Sequence, residues 1–247
     1  MKQPRNRPIF LSADWHNLLF ANYIIDPTVL TPLVPKGTEL DLHNGNCYIS
    51  LVAFQFLNTK VFGIPAFSNR NFDEINLRFY VKRLIAGGKE QSGVVFIKEI
   101  VPSRLIAWTA RTLYGENYIA MNMNHEITDD RASRELKLTY RCGDGELSNR
   151  FSAIVSPGSP MADDEELGPY ITEHYWGYSS PKQNKTVEYE VKHPRWPINK
   201  VTDYSIDFDF KDLYGPHYGS LSETEPASVL YCEGSGVTVH VGSTISQ

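Results

Sequence analysis

The chain predicts a mainly β fold of the α+β class, one domain built around a barrel or strongly curved sheet, and three observations carry that expectation. Apolar and polar residues alternate in runs bounded by Gly, Pro, Asn or Asp, which is the two-residue period of half-buried strands. These runs recur from residue 18 to residue 241 with no Pro/Ser-rich linker between two patterns, so residues 1–247 read as one domain, with an alternative boundary near 156–166. Helical end chemistry marks only two short segments, which suits small peripheral helices.

Strands are expected, in order, at 18–25, 48–56, 74–82, 93–100, 105–112, 135–142, 187–193 and 229–241. In the last of these, Glu233-Gly234-Ser235-Gly236 lies between two β-branched runs and reads as a hairpin turn. The first helix is expected from Asp26 to Leu33, with Asp26 as N-cap and Pro27 at the first helical position, where a missing N–H costs nothing. Pro32 and Pro35 keep it short. The second is expected at about 169–175, led by the acidic residues of 163–166, whose charges suit the positive end of a helix dipole. Segments 61–71 and 156–168 read as irregular loops, and 196–226 as turn-rich sequence around one strand-like run, 204–210.

Composition narrows the partners. Lys and Arg number 24 against 29 Asp and Glu, a formal net charge of −5, so the basic excess that a nucleic acid or an anionic membrane surface requires is absent. With 41% hydrophobic residues the 247-residue chain holds enough apolar surface for a core without disulfides or structural metal. Cys47, Cys142 and Cys232 are odd in number, widely spaced and free of any CxxC pair, which speaks against a disulfide framework or a zinc ribbon. The apolar run Ile9, Phe10, Leu11 is broken at once by Ser12 and Asp14, far short of a signal-peptide core, so a cytoplasmic protein is expected and the Asn184-Lys185-Thr186 triplet carries no weight.

Several chemistries lack their motif. There is no GxxxxGK[ST] loop, no GxGxxG opening a helix, and no second histidine at metalloprotease spacing after His125-Glu126. The alternate carboxylates Asp207 and Asp209 read as a solvated strand face rather than a metal site. His193-Pro194-Arg195-Trp196-Pro197 reads as a rigid aromatic turn, and His174 and Tyr175 as helix packing. Nothing calls for a metal or a cofactor.

Two polar clusters stand out instead. In 72–81, Ile75, Leu77, Phe79 and Val81 share one face while Glu74, Asn76, Arg78 and Tyr80 share the other, a set that would either form a solvent-facing ladder or converge on a ligand. In 111–118, Gly115 lets the chain turn beside Arg111, Tyr114 and Tyr118 after the apolar run that holds Trp108. With Trp15xxLeu18xPhe20xAsn22-Tyr23, Asp26-ProxxLeu30, Pro35xGly37, Phe72xGlu74xAsn76xArg78xTyr80-Val81, Gly93-Val94xPhe96 and His193-Pro194xTrp196-Pro197, the chain resembles, over nearly its whole length, the uncharacterised YqjF-like family, which is itself similar to the acetoacetate decarboxylase-like superfamily.

That resemblance implies a curved sheet or barrel enclosing a cavity, with short peripheral helices, and it implies that the polar strand borders the cavity. The decarboxylase pattern Gly-Arg-Glu-x-x-Gly-Tyr-Pro-Lys-Lys laid on residues 110–119 matches at Arg111 and Gly115, but Tyr118 and Ile119 stand at the two lysine positions. The first lysine is the one that forms the Schiff base, a use of a desolvated lysine beside another cation. Tyrosine forms no imine, so decarboxylation by that route is not expected. Glu74 corresponds to a cavity glutamate of the decarboxylases. The implied site residues are therefore Glu74, Asn76, Arg78, Arg111 and Tyr118: the arginines for a carboxylate or enolate oxygen, Glu74 as a base or as the arginines' partner, and Tyr118 as a donor to an oxyanion. Three functions stay open: a binder of a small organic anion or carbonyl compound, a lysine-independent enzyme acting on a small oxo-acid or enolisable carbonyl compound, and a structural or protein-interaction role. The resemblance also implies a homo-oligomer.

Overall fold

Alternating strands long enough to have both faces covered set the architecture. The computed structural model describes residues 7–130, 132–144, 148–160, 167–182 and 185–245. The first half of the chain supplies β1 (Ile9–Ile24), β2 (Glu39–Leu40), β3 (Tyr48–Val61), β4 (Ile64–Pro65), β5 (Phe72–Ile85), β6 (Lys89–Val101) and β7 (Tyr118–Ala120). The second half supplies β8 (Met123–Asp130), β9 (Glu135–Cys142), β10 (Asn149–Pro160), β11 (Trp176–Lys182), β12 (Lys185–Lys192), β13 (Ile198–Asp207), β14 (Ser228–His240) and β15 (Ser243–Thr244). Helices α1 (Pro27–Leu30), α2 (Arg104–Tyr114), α3 (Leu167–Thr172) and α4 (Phe210–Tyr214) are short, as expected.

All strands belong to one mostly β, strongly curved sheet. Its path runs β12, β11, β6, β5, β3, β1, β14, and a further pairing of β12 with β14 closes these strands into a ring. β13, β10, β9 and β8 continue outward from β14. Neighbours pair antiparallel except β11 and β7, which lie parallel to β6.

β3 and β5 are buried on both faces over most of their length, and the two-residue period splits the core in two. On β5, Ile75, Leu77, Phe79 and Val81 pack with Leu19, Tyr140, Phe151 and Phe210 under the outer strands and α4. On the opposite face Phe20, Val52, Phe54 and Tyr80 belong to a second cluster, and this face carries the cavity. The three cysteines are buried free thiols.

Three expectations are corrected. Residues 105–112 are not a strand but the body of α2: the Ser103 side chain caps its first turn by accepting from the Ile106 amide, and Gly115, at φ +67°, closes its last. An apolar run this short satisfies both periods, and the capping chemistry decides for the helix. Nor is there a hairpin at 233–236, because β14 runs straight through. Gly234 stands where a Cβ would overlap the Trp15 carbonyl oxygen, so it permits a close backbone approach between β1 and β14 rather than a turn. The run near 204–210 ends as a strand at Asp207, and Asp209 caps α4 by accepting from the Asp212 amide at 2.8 Å. The expected cap of α1 is present, with Asp26 accepting from the Thr28 amide at 2.8 Å. α3 starts at Leu167 rather than near 169, β10 extends to Pro160, and the acidic 163–166, most of the alternative boundary and Asn184 lie outside the described residues.

Candidate functional site

A cavity of about 490 Å³ opens on the inner face of the ring, bounded by β1, β3, β5, β6, β12 and the helix α2. That size suits a small organic molecule. Its walls are aromatic: Trp15 meets Phe54 and Phe56 edge-on at 5.1 and 5.5 Å, and Phe56 stacks on Phe72 at 4.6 Å. Exposed Phe67 and Leu105 border its open side.

The polar floor comes from β5, β6 and the turn after α2. Asn76 Nδ2 donates to Glu74 Oε1 at 2.9 Å, and the Tyr118 hydroxyl donates to Glu74 Oε2 at 3.1 Å. Glu116 accepts from the Tyr189 hydroxyl at 2.8 Å. Glu99, directly across from Asn76 in the β5–β6 pairing, is 2% exposed with Oε2 unpartnered. Burial pushes the Glu74 carboxyl up to about 7 and that of Glu116 up to about 8. Burial, with the charges of Glu74 and Glu116, holds Glu99 well above the carboxylate range, and burial beside the glutamates holds the Tyr118 hydroxyl protonated.

Arg78 supplies the cation. Its Nη2 donates to the Ile171 carbonyl at 3.0 Å and its guanidinium lies 5.3 Å from the centre of the Phe20 ring and 5.7 Å from that of Tyr80, while Nε has no partner. His174 sits beside Tyr80 with both ring nitrogens unpartnered. Burial and the Arg78 charge hold it neutral, its pKa down at about 3.

Of the sequence-derived candidates, the structure thus gathers Glu74, Asn76, Arg78 and Tyr118 around one cavity. Arg111 stands outside the cavity wall. It lies on the exposed side of α2 and its Nε donates to the Tyr118 carbonyl, tying the last helical turn to β7. The reason is helical geometry: in a strand Arg111 would have had even odds of facing inward, whereas in α2 the inward positions are Leu105, Ile106, Thr109 and Ala110. Tyr80 serves a separate buried network with Ser50 and Asn22. Among the described residues no lysine lines the cavity, and none forms a group of three or more His, Cys, Asp or Glu side chains placed to hold a metal ion.

Residues 12–236 match DUF2071, a family of uncharacterised conserved proteins, and the chain is 30% identical over 215 residues to the uncharacterised protein YqjF of Bacillus subtilis, covering 86% of this chain and 83% of YqjF. The chain belongs to the DUF2071 family. Its fold is that of the acetoacetate decarboxylase-like proteins. The enduracididine biosynthesis enzyme MppR complexed with pyruvate superposes with a TM-score of 0.66 at 14% identity, covering 99% of this chain and 93% of MppR. Acetoacetate decarboxylase from Legionella pneumophila gives a TM-score of 0.65 at 14% identity, covering 100% of this chain and 92% of the decarboxylase.

In this DUF2071 protein the cavity residues absent from the sequence-derived set are Glu99, Glu116 and Tyr189, and His174, expected as helix packing, lies after the end of α3 and lines the cavity. Strict alternation from Val94 and Phe96 would put Lys98 into the cavity and turn Glu99 away. The β5–β6 register instead shifts between Leu77↔Lys98 and Arg78↔Phe96, a bulge at Ile97 that inverts the phase. Lys98 therefore faces the other way, donating to the Leu213 carbonyl, and Glu99 faces the cavity. Asn117 Nδ2 donates to the Ile97 carbonyl at 2.9 Å and holds the bulge. His193 does stack on Trp196, at 3.9 Å, as an aromatic turn should, but both residues also line the cavity.

Proposed function

We propose that this protein binds a small organic molecule in the ring cavity, without Schiff-base chemistry. The supporting observation is a set of buried polar atoms without partners, Asn76 Oδ1, Glu99 Oε2, Arg78 Nε and both nitrogens of His174, on side chains that line a mouth-bearing aromatic cavity. Buried polar groups left unpaired cost about 1–3 kcal/mol each, a cost that a ligand offering complementary groups removes. Tyr118 at the position of the decarboxylase lysine excludes an imine there, and buried free thiols fit a cytoplasmic setting. The test is a thermal-shift screen with small carboxylates, oxo-acids, 1,3-dicarbonyls and amines. At ~100 times its dissociation constant a ligand stabilises by about 2.7 kcal/mol, which raises the melting midpoint by about 5–10 °C. No shift across the whole panel overturns the binding reading in favour of a structural role.

A second reading, general acid–base catalysis, is favoured by the geometry of Glu74, whose carboxyl burial pushes up to about 7 and which accepts a hydrogen bond from the Tyr118 hydroxyl. Its signature is a Glu74→Gln variant that binds the hit from the screen and no longer turns it over; equal turnover in wild type and variant overturns it.

A further inference from the structure

Resting on the binding reading, we infer that the cavity is a receptor for a small organic cation with two or more N–H donors, held between Glu99 and Asn76 with its apolar body against the aromatic wall. Sequence alone pointed to an anion through Arg78 and Arg111. The cavity wall carries three carboxyl groups, Glu74, Glu99 and Glu116, against one guanidinium, because Arg111 lies outside. That guanidinium is engaged at Nη2 by the Ile171 carbonyl and lies over two aromatic faces, with Nε left unpartnered.

At the Glu99–Asn76 end of the cavity the unpartnered atoms are oxygens, whereas Trp15 Nε1 and Arg78 Nε are unpartnered donors elsewhere on its wall. Glu99 and Asn76 are each 2% exposed, and Glu99 Oε2 and Asn76 Oδ1 have no donor. The two residues are cross-strand partners, which sets their Cβ atoms roughly 4.5–5.5 Å apart, a span that one amidinium or ammonium group bridges with two N–H donors. Once Glu99 is ionised both oxygens are acceptors, and a ligand carboxylate placed there then meets only lone pairs. The tryptophan, phenylalanine and tyrosine faces of the wall, Trp15, Phe56, Phe72 and Tyr189 among them, suit the body of such a cation. Among the described residues no three His, Cys, Asp or Glu side chains are placed to hold a metal ion, and the aromatic wall suits an organic cation.

Binding is coupled to proton release. Unliganded, the buried carboxyls hold protons; a permanent cation favours the carboxylate, and each proton displaced leaves to solvent. Facing the bound charge are Glu74 and Arg78 from β5, Glu99 from β6, Glu116 and Tyr118 from the turn into β7, His174 after α3, and Tyr189 and His193 from β12 and the turn after it. Over pH 6–8 the Tyr118 hydroxyl stays protonated, His174 stays neutral, and burial pulls His193 toward its neutral form. Affinity for a cation therefore rises with pH, up to about tenfold per pH unit for each proton released.

The experiment is calorimetric titration of the full chain with benzamidinium, benzamide and benzoate, one shape in three charge states, at pH 6 and pH 8. Expected is tightest binding of benzamidinium, at least about tenfold tighter at pH 8 than at pH 6, with affinity at pH 8 reduced about tenfold or more, 1.4 kcal/mol, in Glu99→Gln. The pH comparison on the unaltered protein reads the same coupling without any variant. Benzoate or benzamide binding as tightly as benzamidinium, or a benzamidinium affinity that is flat or falling with pH, overturns the cation assignment and leaves the binding reading standing. Absence of saturable binding by all three, with no hit in the thermal-shift screen, overturns both.

Discussion

Replacing Glu74 by glutamine tests the electrostatic logic of the cavity floor. Glu74 is 2% exposed, and burial raises its carboxyl from the ordinary 4.5 to about 7 against the opposing effect of hydrogen bonds from Asn76 and Tyr118. In the unfolded chain the same group ionises at its ordinary value. Between the two values the folded protein holds a proton that the unfolded chain has lost, so fewer protons are bound on unfolding and stability falls as pH rises through this window. A difference of about 2.5 pH units at 1.36 kcal/mol each amounts to about 3 kcal/mol of stability lost by pH 8. Glutamine keeps the shape, carries no proton to lose, and retains both hydrogen bonds once Asn76 turns its unpartnered Oδ1 toward the new amide. The stability difference between Glu74→Gln and wild type should therefore grow by about 3 kcal/mol from pH 4.5 to pH 8, in favour of the variant. Urea unfolding followed by tryptophan fluorescence at several pH values measures it. A difference constant to within about 0.5 kcal/mol over that range would refute the claim that Glu74 is folded into a desolvated site.

Three further outcomes are expected. Arg111→Ala, which unties α2 from the Tyr118 carbonyl, should lower stability by about 1 kcal/mol in urea titration while leaving the affinity for any cavity ligand within about twofold; a much larger loss of affinity would place Arg111 in the site after all. Tyr118→Phe removes a donor that favours ionised Glu74, so the decline of stability, which still begins near the ordinary carboxyl pKa, should extend to higher pH than in wild type; an upper end that is unmoved or lowered would contradict the Tyr118–Glu74 bond. Gly115→Ala must place a Cβ at φ +67° against Pro181, and a loss of at least about 2 kcal/mol should appear as a lowered melting midpoint; near-neutrality would show that the helix does not end there in a left-handed residue.

Much of the architecture was legible along the chain because alternation, caps and prolines act locally. The strand at 135–142 lies where the pattern puts it, and β3, β5 and β6 enclose the expected runs with extra residues at their ends. Asp26 caps α1 for the reason its position next to Pro27 suggests. The polar face of β5 was legible too, since Glu74, Asn76 and Arg78 follow from a two-residue period, and a cavity beside it agrees with the family resemblance. What the period leaves open is which polar face meets water and which meets another wall of the same sheet, and that depends on the ring closing through β12 and β14, residues far apart in sequence.

The rest was decided by contacts that no local pattern encodes. A single extra residue at Ile97 exchanges Lys98 for Glu99 at the cavity wall, and the extra residue exists only because Arg78 pairs with Phe96 across the strand. Arg111 left the site because the segment after Val101 finds a cap in Ser103 and a stop in Gly115 and so winds into a helix, turning toward the cavity four apolar or hydroxyl side chains instead of a cation. The amino-acid order by itself determined most of the strands, the cap of α1 and the polar face of β5. Only the tertiary structure determined the charge of the cavity, because the three carboxyls that set it come from β5, β6 and the turn after α2 and meet only when the curved sheet brings those elements together and removes water from between them.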